Sequence, residues 1–279
     1  MSKLSIAIIN AHGALACPPE FEGRRALTPE QVFNEADVYA GDLFDFRDDV
    51  LHWVSFPYAR CFLDVNRPND TTLVEHPALW RAGDGIVKRQ TSYGVPVFKP
   101  GQQPDAREEQ ALIDTYWRVW HAQLDAVAND PRIKLVFDCH SMAAHGPSHY
   151  SDPGALRPRA QVANLGDANA EIESLRGMLS APAALTREFA RLLGDEMAAL
   201  DTLTSAGEPC RINAPFWGGW NVWGHGGTRQ PWLMIEINRA LYIGAQDSNT
   251  PAVAADATRI AAIRAAVWRA IYALCAVLL

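Results

Sequence analysis

The chain has 279 residues, with 25 Lys and Arg against 32 Asp and Glu, for a net charge of −7. That balance excludes a nucleic-acid binder built on a basic face. A hydrophobic fraction of 48% with 20% charged residues excludes a chain that is disordered over most of its length. No repeat shows itself and no low-complexity linker divides the sequence, so residues 1–279 are expected to form a single domain.

In chain order, LSIAIIN predicts a buried opening strand. Its apolar run is too short for a signal-peptide core and is interrupted by Asn10 and His12, so a cytoplasmic protein is expected. WVSFPYARCFLDVN contains a second strand. PDAREEQALIDTYWRVWHAQLDAVAND predicts a helix that faces inward through Leu112, Tyr116, Val119, Leu124 and Val127. IKLVFDCHS is a third strand, apolar until its acidic end. Residues 151 to about 180, rich in Gly, Pro, Asn and Asp, predict one long loop inside the domain. SAPAALTREFARLLGDEMAAL predicts a second amphipathic helix with Pro182 near its start. PWLMIEINRALYI is a fourth strand. The final AAIRAAVWRAIYALCAVLL is broken by Arg264 and Arg269, short of the about 20 uninterrupted apolar residues of a membrane span. It predicts an Ala-rich helix packed on the body, with no membrane partner. Short apolar strands alternating with helices predict an α/β protein, a three-layer α/β/α sandwich around a mainly parallel or mixed sheet. The five cysteines are scattered and lack CxxC spacing, as expected of buried, reduced thiols.

In open α/β sheets, ligands bind beyond the carboxyl ends of the strands. The residues there are Asn10-Ala11-His12-Gly13, Asp64-Val65-Asn66-Arg67, Asp138-Cys139-His140-Ser141 and Glu236-Ile237-Asn238-Arg239. A single strand-end histidine is an ordinary polar residue. Two in equivalent places point to Zn2+, which imidazole suits and which, in catalytic sites, takes three protein ligands and leaves a position open. The third ligand is expected from the acidic run at Asn34–Tyr39, as either Glu35 or Asp37. Glu236 stands inside an apolar strand, where an unpaired carboxylate is costly. It is either braced by Arg239 or Arg67 or acts as a general base with a raised pKa, and the second reading is favoured. His145 and His149 read as loop polar groups. The Gly-rich segment Trp217–Gly227 is a lid or a connector; it lacks the Lys-Ser/Thr of a phosphate loop. No Gly-x-Ser-x-Gly elbow of a serine hydrolase occurs.

The ordered blocks NAHGA, ARCFLDVNRP, FDCHSM and IEINRALY resemble the N-formylglutamate amidohydrolase family. Asp37-Val38-Tyr39 with Leu43-Phe44, Arg107-Glu108, and the run Asn213–Gly219 extend the likeness to about Tyr242. That family in turn resembles the zinc carboxypeptidases and their phosphorylase/hydrolase-like sandwich. The resemblance implies a Zn2+ held by His12, His140 and Asp37, and Glu236 as the catalytic base. It also implies substrate carboxylates held by Arg60, Asn66 and Arg67. The implied substrate is a small N-acyl amino acid such as N-formyl-L-glutamate, cleaved to formate and glutamate in amino-acid catabolism such as histidine degradation. One departure is Leu15, which stands where the carboxypeptidase His-x-x-Glu pair has its Glu. Two rivals are a metallopeptidase or amidase acting on a peptide or cell-wall amide, and a non-catalytic ligand-binding member of the fold. The lack of an export signal counts against cell-wall work, and an intact Glu236 beside intact histidines counts against a non-catalytic module.

Overall fold

In the computed structural model, which describes residues 3–69, 85–200, 207–227 and 229–278, the apolar runs assemble side by side. The strands are β1 (Leu4–Asn10), β2 (Val50–Ser55), β3 (Leu135–Met142), β4 (Ala160–Ala163), β5 (Cys210–Ile212) and β6 (Trp232–Asn238). Among the described residues they form one sheet in the order β2-β1-β3-β6-β4-β5. Neighbours run parallel except β4 and β6, which are antiparallel. Every residue of β3 and of β6 is buried, as a sheet covered on both faces requires.

Side chains alternate across a strand, so each central strand feeds two cores. Ile6, Ile8, Phe137, Leu233 and Ile235 pack on one face with Phe189 and Leu193 of helix α5 (Ala183–Ala199) and Val267 and Ile271 of α8 (Ala257–Leu278). Ala7, Ile9, Val136 and Met234 pack on the other with Leu112 of α3 (Ala106–Leu112) and Trp120, Leu124 and Val127 of α4 (Arg118–Asn129). Each large apolar side chain so buried contributes about 1.5–3 kcal/mol. The expected α/β/α sandwich with a mixed sheet is therefore the architecture found. Shorter helices are α1 (Pro29–Glu35), α2 (Ala40–Leu43), α6 (Trp220–His225) and α7 (Ala240–Ile243). The stretch Ala257–Val277 is long and apolar enough to cross a membrane by length and composition, yet it lays Ile260, Ile263, Ala266 and Leu274 into the core.

Four expectations change. The second strand stops at Ser55, because Pro57 lacks the N–H that a ladder needs; Arg60 to Arg67 lie on turns beyond it. The loop expected at 151 to about 180 contains β4, which sits between β6 and β5. Its four residues are too few to show a period, and the burial of all four comes from strands distant in sequence. Val119 is exposed, not inward-facing. A π turn at Ile113–Trp117 inserts extra residues per turn and rotates the following helix, so Trp120 and His121 face inward instead. All five cysteines are free, but Cys17 and Cys210 are only half-buried.

Candidate functional site

The carboxyl ends of β1, β3 and β6 open onto one cleft lined by His12, His140 and Glu236. His12 follows β1 directly, and Asn10 Oδ1 accepts from the backbone N–H groups of His12 and Gly13 to turn the chain there. His140 lies within β3, in register with Glu236 of β6. Asp37 arrives by a longer route. Helix α1 starts in a capping box, in which Thr28 Oγ1 accepts from Gln31 N–H and Gln31 Oε1 accepts from Thr28 N–H. It ends where Arg239 donates to the carbonyls of Asn34 and Ala36, satisfying two acceptors that a helix end leaves open. Asp37 N–H then donates to His12 O at 3.0 Å.

These elements bring the ligand atoms of His12, Asp37 and His140, all buried, within 4.8 Å of one another. His140 Nδ1 is 3.0 Å from Asp37 Oδ2, and His12 Nδ1 is 3.6 Å from the same oxygen, too far for a hydrogen bond. His12 Nδ1 has no hydrogen-bond partner among the described residues. Each ring is held from behind: His12 Nε2 lies 2.7 Å from Asp64 Oδ1, and His140 Nε2 lies 3.1 Å from Asp138 Oδ1. Each Nε2 faces its carboxylate and each Nδ1 faces Asp37, and His140, held protonated, donates through Nδ1 to Asp37 Oδ2. A cation bound here would take the place of that proton, and a carboxylate behind each histidine is the usual support of a metal ligand. The donor set fits a divalent ion of the zinc class.

The charges around the cluster are strongly coupled. Burial alone would raise the Asp37 carboxyl, but His12, His140 and Arg60 more than offset it and hold it below the usual range. Burial likewise opposes the ionised forms of Asp64 and His140. The Arg67, His12 and Arg60 charges hold Asp64 well down, and Asp138 with Asp37 holds His140 well up. Glu236 behaves differently. Burial pushes it up to about 7, against the pull of His140 and Arg60. Its Oε2 is buried without a hydrogen-bond partner among the described residues. Arg239 is spent on the end of α1 and Arg67 faces Asp64, so neither braces Glu236.

Of the expected substrate contacts, Arg60, Asn66 and Arg67 all line the same cleft. Arg60 Nη2 donates to Asp64 Oδ2 at 3.1 Å, and Arg67 Nη1 donates to Asn66 O at 3.0 Å. Asn66 Oδ1 accepts from Asn221 N–H at 2.7 Å, which leaves Asn66 Nδ2 beside His140 Nε2. A Cβ at Gly219 would fall 2.3–2.6 Å from the Asn66 amide, so any larger residue where α6 begins would displace Asn66. The Gly-rich segment is thus partly a short helix wired to the site, since Asn221 Nδ2 also donates to Asp138. Glu35 points elsewhere and accepts from the N–H and hydroxyl of Ser92. Leu15 is exposed, and His145 and His149 stand outside the three-ligand cluster. Sequence reasoning missed the support from Asn221 and Arg239 and the presence of Arg157 in the cleft wall. Arg239 stands in a strand-end block, but its partners Asn34 and Ala36, like those of Asn221, are distant in sequence, and nothing local marks Arg157.

A protein-family profile described as N-formylglutamate amidohydrolase matches residues 5–243 of the chain. Among solved structures, the chain is similar to an N-formylglutamate amidohydrolase from Ralstonia eutropha JMP134. The TM-score is 0.68 at 18% identity, with 98% of this chain and 95% of that one covered. It is also similar to a gene product from Agrobacterium tumefaciens, with a TM-score of 0.63 at 14% identity and coverage of 98% and 91%. At such identities the two structures speak for the fold. No curated protein matches the chain in sequence.

Proposed function

The chain belongs to the N-formylglutamate amidohydrolase family, and from that premise we propose that it is a zinc-dependent hydrolase of the linear amide in N-formyl-L-glutamate or a closely related acidic N-acyl amino acid. The observation that carries this reading is the convergence of His12, Asp37 and His140 beside an unpaired, buried Glu236. His12 and His140 through Nδ1 and Asp37 through Oδ2 would hold the metal. A bound ion there would supply Lewis-acid chemistry, lowering the pKa of a water to about 7 and polarising the acyl oxygen.

The chain's own groups supply the rest. Glu236, with its carboxyl raised to about 7, takes a proton from the attacking water and is then poised to return it. Attack on the acyl carbon breaks the C–N bond, and Glu236 delivers that proton to the departing nitrogen, releasing formate and glutamate. Arg67 and Asn66 bind the α-carboxylate, and Arg60 balances the charges of Asp64 and Asp37 beside it. Asp64 and Asp138 keep the two imidazoles in one tautomer and orientation. We place this activity in the cytoplasm, acting on a small molecule.

The test is hydrolysis of N-formyl-L-glutamate by purified protein before and after exhaustive chelation, with metal content measured alongside. Formate release should disappear with the metal and return when zinc is restored. Full turnover in metal-free protein would overturn the zinc reading, and no turnover of any N-formyl amino acid in zinc-loaded protein would overturn the substrate class.

A further inference from the structure

Building on the reading of an acidic N-acyl amino acid as substrate, we propose that Arg157 is the residue that recognises the substrate's side-chain carboxylate. Arg157 lines the same cleft as Glu236, and its side chain is 3% exposed. Nε and Nη2 donate to Asp152 Oδ2 and Oδ1 at 2.8 and 2.9 Å. The guanidinium lies over two aromatic faces, with Cζ 5.3 Å from the Tyr150 centroid and 4.8 Å from that of Phe216. Its backbone is fixed as well, since its N–H donates to Ala144 O and its carbonyl accepts from Asn238 Nδ2. Among the described residues, no hydrogen bond engages Nη1. A buried, immobilised guanidinium with one edge unused at a cleft wall wants an acceptor there, and a carboxylate matches it best.

The other cleft arginines have other roles: Arg239 holds the end of α1, Arg60 faces Asp64, and Arg67, which also donates to Asn66 O, is assigned the α-carboxylate. Placement supplies a second argument. Arg60 and Arg67 follow β2, whereas Arg157 leads into β4, and the sheet order puts those strands on opposite sides of β1, β3 and β6. The cleft therefore offers a carboxylate contact from each side of the His12–Asp37–His140 cluster. A dicarboxylic amino acid, with one acid on Cα and one at the end of its side chain, fits two such contacts.

The experiment compares zinc-loaded wild type with the double variant Arg157→Met/Asp152→Asn on N-formyl-L-glutamate and its neutral isostere N-formyl-L-glutamine. Pairing the substitutions avoids leaving the Asp152 charge without its partner. We expect kcat/KM for N-formylglutamate to fall on the order of 10- to 100-fold, mainly through KM, and the loss on N-formylglutamine to be about tenfold smaller. Equal losses on both substrates would make Arg157 a brace and overturn the proposal, as would no loss on either. Should the double variant fail to fold, Arg157→Lys, which keeps the charge facing Asp152, should show the same selectivity change in smaller measure. Calorimetric binding of L-glutamate against L-glutamine separates this proposal from the catalytic reading. If wild type turns over neither substrate, the proposed function fails, while selective glutamate binding that is lost in the variant still upholds Arg157. Equal binding of the two amino acids by wild type rejects it.

Discussion

Two pairs of buried histidines touch inside this protein, and they differ in the number and the burial of the carboxylates around them. His12 and His140 have ring centroids 4.7 Å apart and are surrounded by Asp37, Asp64 and Asp138. His121 and His225 have centroids 5.1 Å apart and are stacked, with Trp117 beside one ring and Trp232 beside the other. In the second pair His121 Nε2 donates to Val65 O, His121 Nδ1 lies 2.8 Å from His225 Nε2, and the carboxylate at His225 Nδ1, Asp125 at 3.1 Å, is largely exposed. The outcome is a divergence of charge. Carboxylates hold His140 well above the ordinary imidazole range, whereas burial and the neighbouring His225 depress His121 to about 3. Contact between imidazoles therefore does not by itself suit a pair to a metal. Buried carboxylates at short range would, because they fix the tautomer and supply the negative charge a cation needs.

The largest expected effect separates the pairs outright. His140→Ala should abolish zinc retention and reduce activity to background, while His121→Ala should keep metal content near that of wild type. Elemental analysis of both variants checks this, and equal metal content in the two would break the comparison. Next in size is Glu236→Gln, which keeps the shape of the side chain but cannot carry the proton. Its kcat should fall by about 100-fold or more with zinc content unchanged. Near-full turnover in that variant would remove Glu236 from the mechanism, and lost metal would make it a ligand.

A smaller effect sharpens the role of the carboxylates behind the rings. Asp64→Asn keeps a partner for His12 Nε2 but removes the charge, so zinc affinity measured against a competing chelator should drop about 10- to 100-fold. An unchanged affinity would reduce Asp64 to a partner of Arg60 and Arg67 alone. The smallest effect belongs to the second pair. An unfolded histidine titrates near 6.5 and folded His121 near 3, so below 6.5 the unfolded chain binds the extra proton. This contribution is complete above about pH 6.5 and is lost as pH falls toward about 3. The melting temperature of wild type should therefore drop a few degrees more between pH 7 and pH 4.5 than that of His121→Gln. Identical acid sensitivity would show that His121 is not the group responsible.

The central strands are legible from local pattern alone. LSIAIIN, IKLVFDCHS and WLMIEIN are apolar runs closed by polar residues, and period and length suffice to identify a strand buried on both faces. Because ligands gather at such strand ends, the amino-acid sequence by itself marks His12, His140 and Glu236 as site candidates. The C-terminal helix is legible for the same reason, as its apolar stripe states its packing face.

What only the tertiary structure decided has its cause in contacts far apart along the chain. Glu35 and Asp37 are two residues apart and chemically alike, and no local pattern separates them. Arg239, 203 residues from Ala36, pins the end of α1 so that Asp37 meets the histidines while Glu35 turns to Ser92. The π turn before α4 shifts the inward face of that helix by an insertion that an ideal 3.6-residue period does not foresee. β4 exists because β6 and β5 flank it, and it carries Arg157 to the cleft from a stretch whose composition reads as loop. Periodicity reports how one segment divides water from core; which side chains converge on a given point depends on how distant segments pack.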